Sequence, residues 1–128
     1  MKAAYPIILT PAEGGFVVFV PDFGINTCGD DLADAIEMAR DAIGLAGIDM
    51  EDEKDTIPMP TALSCIKPDA TNAIVSLVDV DFKEYRRNHD ERMVRRNITL
   101  PAWMAAAASA EKINVSRITQ TALKDLLR

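Results

Sequence analysis

The chain has 128 residues, of which 48% are hydrophobic, and a formal net charge of −6 at pH 7. That length suits one or two small domains with an ample core. The charge excludes a uniformly basic nucleic-acid binder, but it is divided: residues 1–90 hold 7 Lys/Arg against 17 Asp/Glu, a net of −10, and residues 91–128 hold 7 against 3, a net of +4. Such asymmetry implies two modules with different partners, a basic end suited to phosphates and an acidic end suited to a basic protein. No run approaches the roughly 18 apolar residues that span a membrane. Pro6, Pro11 and Glu13 interrupt the N-terminal apolar stretch, so it does not read as a secretory signal. The chain reads as soluble and cytoplasmic.

In chain order, residues 3–9 read as a strand with Tyr5, Ile7 and Leu9 on one face. Residues 10–15 carry a proline and two glycines and read as a turn. The run 16–20, Phe-Val-Val-Phe-Val, reads as a strand buried on both faces. After a turn at 21–24 comes a short third strand at 25–28, so the opening is an antiparallel meander. Asp30 reads as the N-cap of a helix with an apolar stripe of Leu32, Ile36, Ala39, Ile43 and Ala46. Gly44 and Gly47 are expected to weaken its end, with Gly47 as the cap. Residues 49–55 read as an acidic loop or helix tail, and Ile57-Pro58-Met59-Pro60 cannot be regular helix. Residues 73–80 form a strong strand expected to return to the same sheet. Residues 81–90 read as a short helix or linker, with Phe82 and Tyr85 spaced to pack inward.

The segment 93–101, Met-Val-Arg-Arg-Asn-Ile-Thr-Leu-Pro, reads as a strand ending in a proline. Arg95, Asn97 and Thr99 share one face and carry groups that read base edges in a major groove. Ile98 and Leu100 lie on the other face. Pro101 suits the first position of a helix, and the alanine-rich run 102–111 favours that helix strongly. Asn114 is a candidate N-cap for a second helix over 115–127, with Val115, Ile118, Ala122 and Leu126 on an apolar stripe. Strand, helix, turn, helix in so few residues resembles a ribbon-helix-helix DNA-binding module. Such a segment is too small to bury a core alone, and a lone strand leaves its edge unpaired. Two chains that pair strands and interleave helices solve both problems. The resemblance implies a homodimer on operator double-stranded DNA. Arg95, Asn97 and Thr99 would contact bases, and the start of the second helix at Asn114, Val115, Ser116 and Arg117 would hold a phosphate. Trp103 would then be an inter-chain core residue.

The N-terminal half carries its own pattern. Tyr5-Pro6 is followed by Glu13-Gly14-Gly15-Phe16-Val17-Val18 and then Pro21-Asp22. Thr27-Cys28-Gly29-Asp30 leads into a helix carrying Leu32, Ala35 and Ala39. An Ile57-Pro58-x-Pro60 loop and a strand precede Asp81-Phe82-x-x-Tyr85. This order is similar to the HicB antitoxin family. Departures are Phe23-Gly24-Ile25 after Pro21-Asp22, and Arg96 on the inner face of the ribbon. The resemblance implies an α+β fold: a partial RNase H-like sheet with one main helix (1–80), a linker (81–90) and a C-terminal ribbon-helix-helix dimerisation module (91–128). It also implies binding and inhibition of a HicA-type toxin, a small basic mRNA-cleaving protein, together with repression of its own operon. Two dimers could join through the N-terminal domains.

The acidic stripe Asp30, Asp34, Glu37 and Asp41 reads either as a solvated helix face or as a toxin-attracting surface. A metal-dependent nuclease is disfavoured, because the first strand has no Asp or Glu and nothing evident partners Asp79 and Asp81. His89 reads as a surface residue. Cys28 and Cys65 fit no metal spacing and read as reduced, partly buried thiols. No cofactor or metal is implied. The rival reading is a stand-alone repressor whose acidic domain senses a ligand or oligomerises.

Overall fold

A computed structural model of the chain describes residues 1–89 and 93–127. The chain divides into two compact units, Met1–Arg92 and Met93–Arg128.

The first unit is an antiparallel four-stranded sheet, β1 (Lys2–Ala12), β2 (Gly15–Val20), β3 (Ile25–Gly29) and β4 (Ile74–Asp81), in the order β3-β2-β1-β4. Helix α1 (Leu32–Asp52) covers one face and α2 (Phe82–His89) follows β4 directly. β1 outruns the expected 3–9. It continues through Pro11 and pairs Ala12 with Gly15, so the turn is only Glu13-Gly14, with Gly14 at φ +80°. Both prolines of β1 are tolerated for one reason. By the alternation of an antiparallel ladder, Pro6 directs its missing N–H toward β2 and Pro11 directs its own toward β4. The pairing with β2 starts only at Ile8 and that with β4 ends at Leu9.

The core is the side of the sheet that carries Tyr5, Ile7, Leu9, Val18, Val20, Val78 and Val80, packed with Ala35, Ala39 and Ile43 of α1 and with Phe82. The period of two in β1 is therefore as expected, but β2 is covered on one face only. Val17 and Phe19 are 44% and 38% exposed on the other face. A continuous apolar run fits two-sided burial, but here helix covers a single layer.

Three further differences concern α1. Its cap is Asp31, whose Oδ1 accepts the Asp34 amide at 2.8 Å, rather than Asp30. Leu32 is exposed and Ala35 buried instead, while Ala39 and Ile43 of the expected stripe are buried and Ile36 packs against the core. The helix also passes straight through Gly44 and Gly47. It ends instead with Lys54 at φ +61°, the Lys54 amide donating to Glu51 O and the Asp55 amide to Met50 O. That is the two-bond left-handed helix stop, with lysine in the place usually held by glycine.

The segment expected as a short helix or linker, with Phe82 and Tyr85 packing inward, is helical over Phe82–His89 and packs within the first unit. Phe82 is 1% exposed in the core, and Asp81 caps α2 by accepting the amides of Lys83 and Glu84. Burying a phenylalanine of this kind contributes about 1.5–3 kcal/mol. The prolyl loop is pinned to the sheet: Tyr5 OH donates to Pro58 O at 2.8 Å, and the Thr61 amide donates to Asp22 at 3.0 Å. Burial, and then the Asp22 carboxylate, push the Tyr5 hydroxyl above its ordinary pKa. Both cysteines are exposed rather than partly buried. Cys28 sits at an edge strand and Cys65 in a short 3-10 turn, Leu63–Cys65.

The second unit consists of α3 (Ala102–Ala110) and α4 (Val115–Leu126), preceded by an irregular stretch. No strand forms over 93–100 within the single chain. A strand is defined by the ladder it makes, and one copy offers this segment none. Pro101 stands just outside α3, which starts at Ala102, and not at its first helical position. α3 stops as α1 does: Lys112 lies at φ +54°, with Lys112 N–H to Ser109 O and Ile113 N–H to Ala108 O. Asn114 caps α4 as expected, its Oδ1 accepting the Arg117 amide at 3.1 Å.

Candidate functional site

Two surfaces carry the residues singled out from the sequence. On the first unit, the acidic side chains of α1 do not form one free stripe. The Asp30 amide donates to Asp34 Oδ2 at 2.8 Å, and Asp34 in turn is tied to Asp31, so Asp34 stabilises the helix start. An acidic group at that place also favours the positive end of the helix dipole. Asp41 Oδ1 accepts the Tyr85 hydroxyl at 2.7 Å and holds α2 on α1. Burial first, and then the hydrogen bond and charge of Asp41, push the Tyr85 hydroxyl up to about 12. Glu37 is exposed with no such duty.

The two late carboxylates also have structural partners that spacing alone did not reveal. Asp79 Oδ1 meets Arg40 Nη2 at 3.1 Å, and Arg40 Nε donates to Asp79 O at 3.0 Å. The Arg40 hydrogen bond is the main cause that holds the Asp79 carboxyl below the usual range. Asp81 is the α2 cap. Among the described residues no group of three or more His, Cys, Asp or Glu stands where it could hold a metal ion. Nor is any helix among them long and apolar enough to cross a membrane. His89 is exposed and stacks on Tyr85 with centroids 4.0 Å apart.

On the second unit, Arg95, Asn97 and Thr99 are all exposed, as are Ser116 and Arg117, while Val115 is half-buried. Arg95 and Asn97 border a groove of about 830 Å³ whose far wall is α4, with Ser116, Thr119 and Leu123. Arg96 and Ile98 line the same groove. A second, apolar groove of about 330 Å³ lies between Leu100, Met104 and Ala108 on one side and Ile113 and Ile118 on the other. At the start of α4 the Arg117 amide is already taken by the cap. The amides of Val115 and Ser116, in the first turn of α4, have no preceding helical carbonyl to bond. No residue from 93 to 127 is buried. Trp103 is 70% exposed and Leu126 80%.

Comparison with known proteins agrees with this architecture. Residues 5–122 match the family model of the HicB-like antitoxin of bacterial toxin–antitoxin systems. An uncharacterised 14.9 kDa protein of the rep–hol intergenic region of Haemophilus phage HP1 is 33% identical over 101 residues, covering 77% of this chain and 73% of its own. A chain of a toxin–antitoxin complex from Streptococcus pneumoniae shares the fold with a TM-score of 0.61 at 20% identity, covering 98% of this chain and 99% of its own. The antitoxin HicB of Burkholderia pseudomallei gives 0.55 at 23% identity, covering 98% and 96%. With nearly the whole length matched by the family model, this chain belongs to the HicB-like antitoxins of bacterial toxin–antitoxin systems.

Proposed function

We propose that this protein is a non-enzymatic antitoxin. It binds and inhibits a HicA-type mRNA-cleaving toxin through its acidic first unit and represses its own operon through a dimeric, ribbon-helix-helix second unit. The charge division supports the pairing of partners. A unit carrying −10 attracts a basic toxin, and a segment carrying +4 attracts DNA phosphates. The observation that carries the repressor half is the absence of any buried residue between 93 and 127. Ile98, Ile113, Ile118 and Leu126 stay in water in a single chain, a state that leaves a small unit without a core. A second copy supplies it: paired 93–100 segments form the ribbon, and α3 and α4 of both chains close over Leu100, Met104 and Ile118. Arg95, Asn97 and Thr99 then read bases. The Val115 and Ser116 amides hold a phosphate, helped by the cap Asn114 and the cation of Arg117.

Toxin inhibition is steric and electrostatic, and Glu37, exposed on α1, acts by charge alone. The test is a tagged pull-down of the full chain from its native cell. A small basic partner that arrests growth when expressed alone, and is rescued by this chain, establishes the reading. Recovery of the chain only with itself, together with binding to its own promoter, replaces it by a stand-alone repressor.

A further inference from the structure

The two edges of the sheet are not alike. Gly15 closes a two-residue turn with Ala12, and the closing pair of such a hairpin is hydrogen-bonded. Counting by twos, Val17 and Phe19 aim their main-chain groups at β1. Phe16, Val18 and Val20 therefore aim theirs at β3. Their partners Gly29, Thr27 and Ile25 face back, which leaves the N–H and C=O groups of Asn26 and Cys28 pointing away from the sheet. Both residues are exposed, and β3 ends the sheet. The same count puts the Asp79 carbonyl on the outer side of β4, where Arg40 Nε occupies it. Edge strands are commonly protected by a charged side chain or a proline. β4 has that protection in Arg40 and Asp79. β3, with Ile-Asn-Thr-Cys-Gly, has neither a charge nor a proline.

We propose that the open β3 edge accepts an extended strand of the toxin, continuing the sheet through the main-chain groups of Asn26 and Cys28. This rests on the antitoxin reading and adds the docking mode. The choice of occupant follows from charge. Asp22 stands at one end of β3, and Asp30 and Asp31 at the other. Two copies paired about a two-fold axis would set Asp30 and Asp31 of each against Asp22 of the other, a like-charge contact at both ends. A strand from a basic protein, with Lys or Arg at its flanks, meets opposite charge there. Main-chain bonds along the edge would give the affinity, and the carboxylates the choice of partner.

The probe is the purified growth-arresting toxin that co-purifies with the full chain. Amide exchange at Asn26 and Cys28 is followed in the full chain, alone and with the toxin. The expected result is slowing of about tenfold or more at both amides on adding toxin, with no slowing when the chain's own concentration is raised. In parallel, Cys28→Pro removes an outward N–H without touching the ladder to β2. It should weaken toxin binding about tenfold, the effect of one or two lost hydrogen bonds. Val75→Pro, the matching change on the outer side of β4, should leave affinity within about twofold. Unchanged exchange at both amides in the complex overturns the proposal even if a proline variant fails to fold. Slowing produced by the chain's own concentration overturns it in favour of self-pairing. If the wild-type chain binds no such toxin, it is the antitoxin reading that fails.

Discussion

The ring of Phe82 lies over Gly47, so close that a β-carbon on Gly47 would stand 2.2 Å from Phe82 Cε1. One turn earlier, a β-carbon on Gly44 would meet the Tyr85 ring at 2.5 Å. Two glycines that look like a weak helix end are thus the groove in which α2 is seated. Gly47→Ala should lower stability. Overpacking a filled core costs about 1–3 kcal/mol, and the gain in helix propensity returns about 1 kcal/mol. The difference is about 0–2 kcal/mol, and the 2.2 Å approach places it toward the upper end; the loss should appear in thermal melts, at about 4–8 °C per kcal/mol for a domain of this size. Gly44→Ala should cost less, because the Tyr85 ring is not fully enclosed and can turn aside. A Gly47→Ala melt at or above wild type would mean that Phe82 is not seated there.

The Tyr85–Asp41 contact makes a pH prediction. The fold holds the Tyr85 hydroxyl in its neutral form, with its pKa raised from 10.0 to about 12. A pKa higher in the folded state than in the unfolded state gives stability that is fully present below about 10 and is lost as pH rises toward 12. Tyr85→Phe should therefore be less sensitive than wild type to alkali in that window, as read from urea midpoints across the pH series. Parallel curves for the two proteins would contradict this. Tyr5, whose pKa is also raised, is present in both and cancels from the difference.

Both α1 and α3 end on a lysine in the left-handed region, Lys54 and Lys112. A side chain there costs about 1–2 kcal/mol, a cost glycine does not incur. Lys54→Gly should stabilise the first unit by a few tenths to about 1 kcal/mol once the larger entropy loss of glycine is deducted. A lower urea midpoint in the variant would contradict the assigned helix stop.

These lysines also explain what the sequence conceals. Strand periodicity was legible: the alternation of Tyr5, Ile7 and Leu9, and the return of β4 to the same sheet, follow from side-chain pattern alone. The helix boundary was not, because the usual stop signal, glycine, occurs inside α1 and is absent from its end. Phe19 looked buried because an apolar run does not say how many layers cover it. The roles of Asp41, Asp79 and Asp81 were hidden because their partners Tyr85, Arg40 and the α2 amides meet them only through the fold. In the second unit, the Asn114 cap was readable from its residue type and place. The strand read over 93–100 does not form in the single chain, where no neighbouring strand offers it hydrogen bonds.

If the second unit binds operator DNA as proposed, Asn97→Ala combined with Thr99→Ala should remove operator preference while leaving toxin binding intact. Arg95→Ala should weaken binding as well. Loss of one good base contact typically costs about 1–3 kcal/mol of discrimination. Gel-shift titrations against operator and scrambled DNA at one fixed salt concentration separate the two effects. Retained operator preference in the double variant would rule out those residues as readers. Ile118→Asp should leave a chain that is monomeric by light scattering and bound to neither sequence; a dimer that still binds operator would argue against the interleaved core.

Inhibition of the toxin is the central claim, and it is tested most directly by titrating the full chain into a fixed amount of purified toxin while mRNA cleavage is followed. Cleavage should fall linearly and stop at equivalence, and Glu37→Lys should slow the approach to inhibition and reduce its salt dependence. Cleavage that continues undiminished in excess chain would contradict the account.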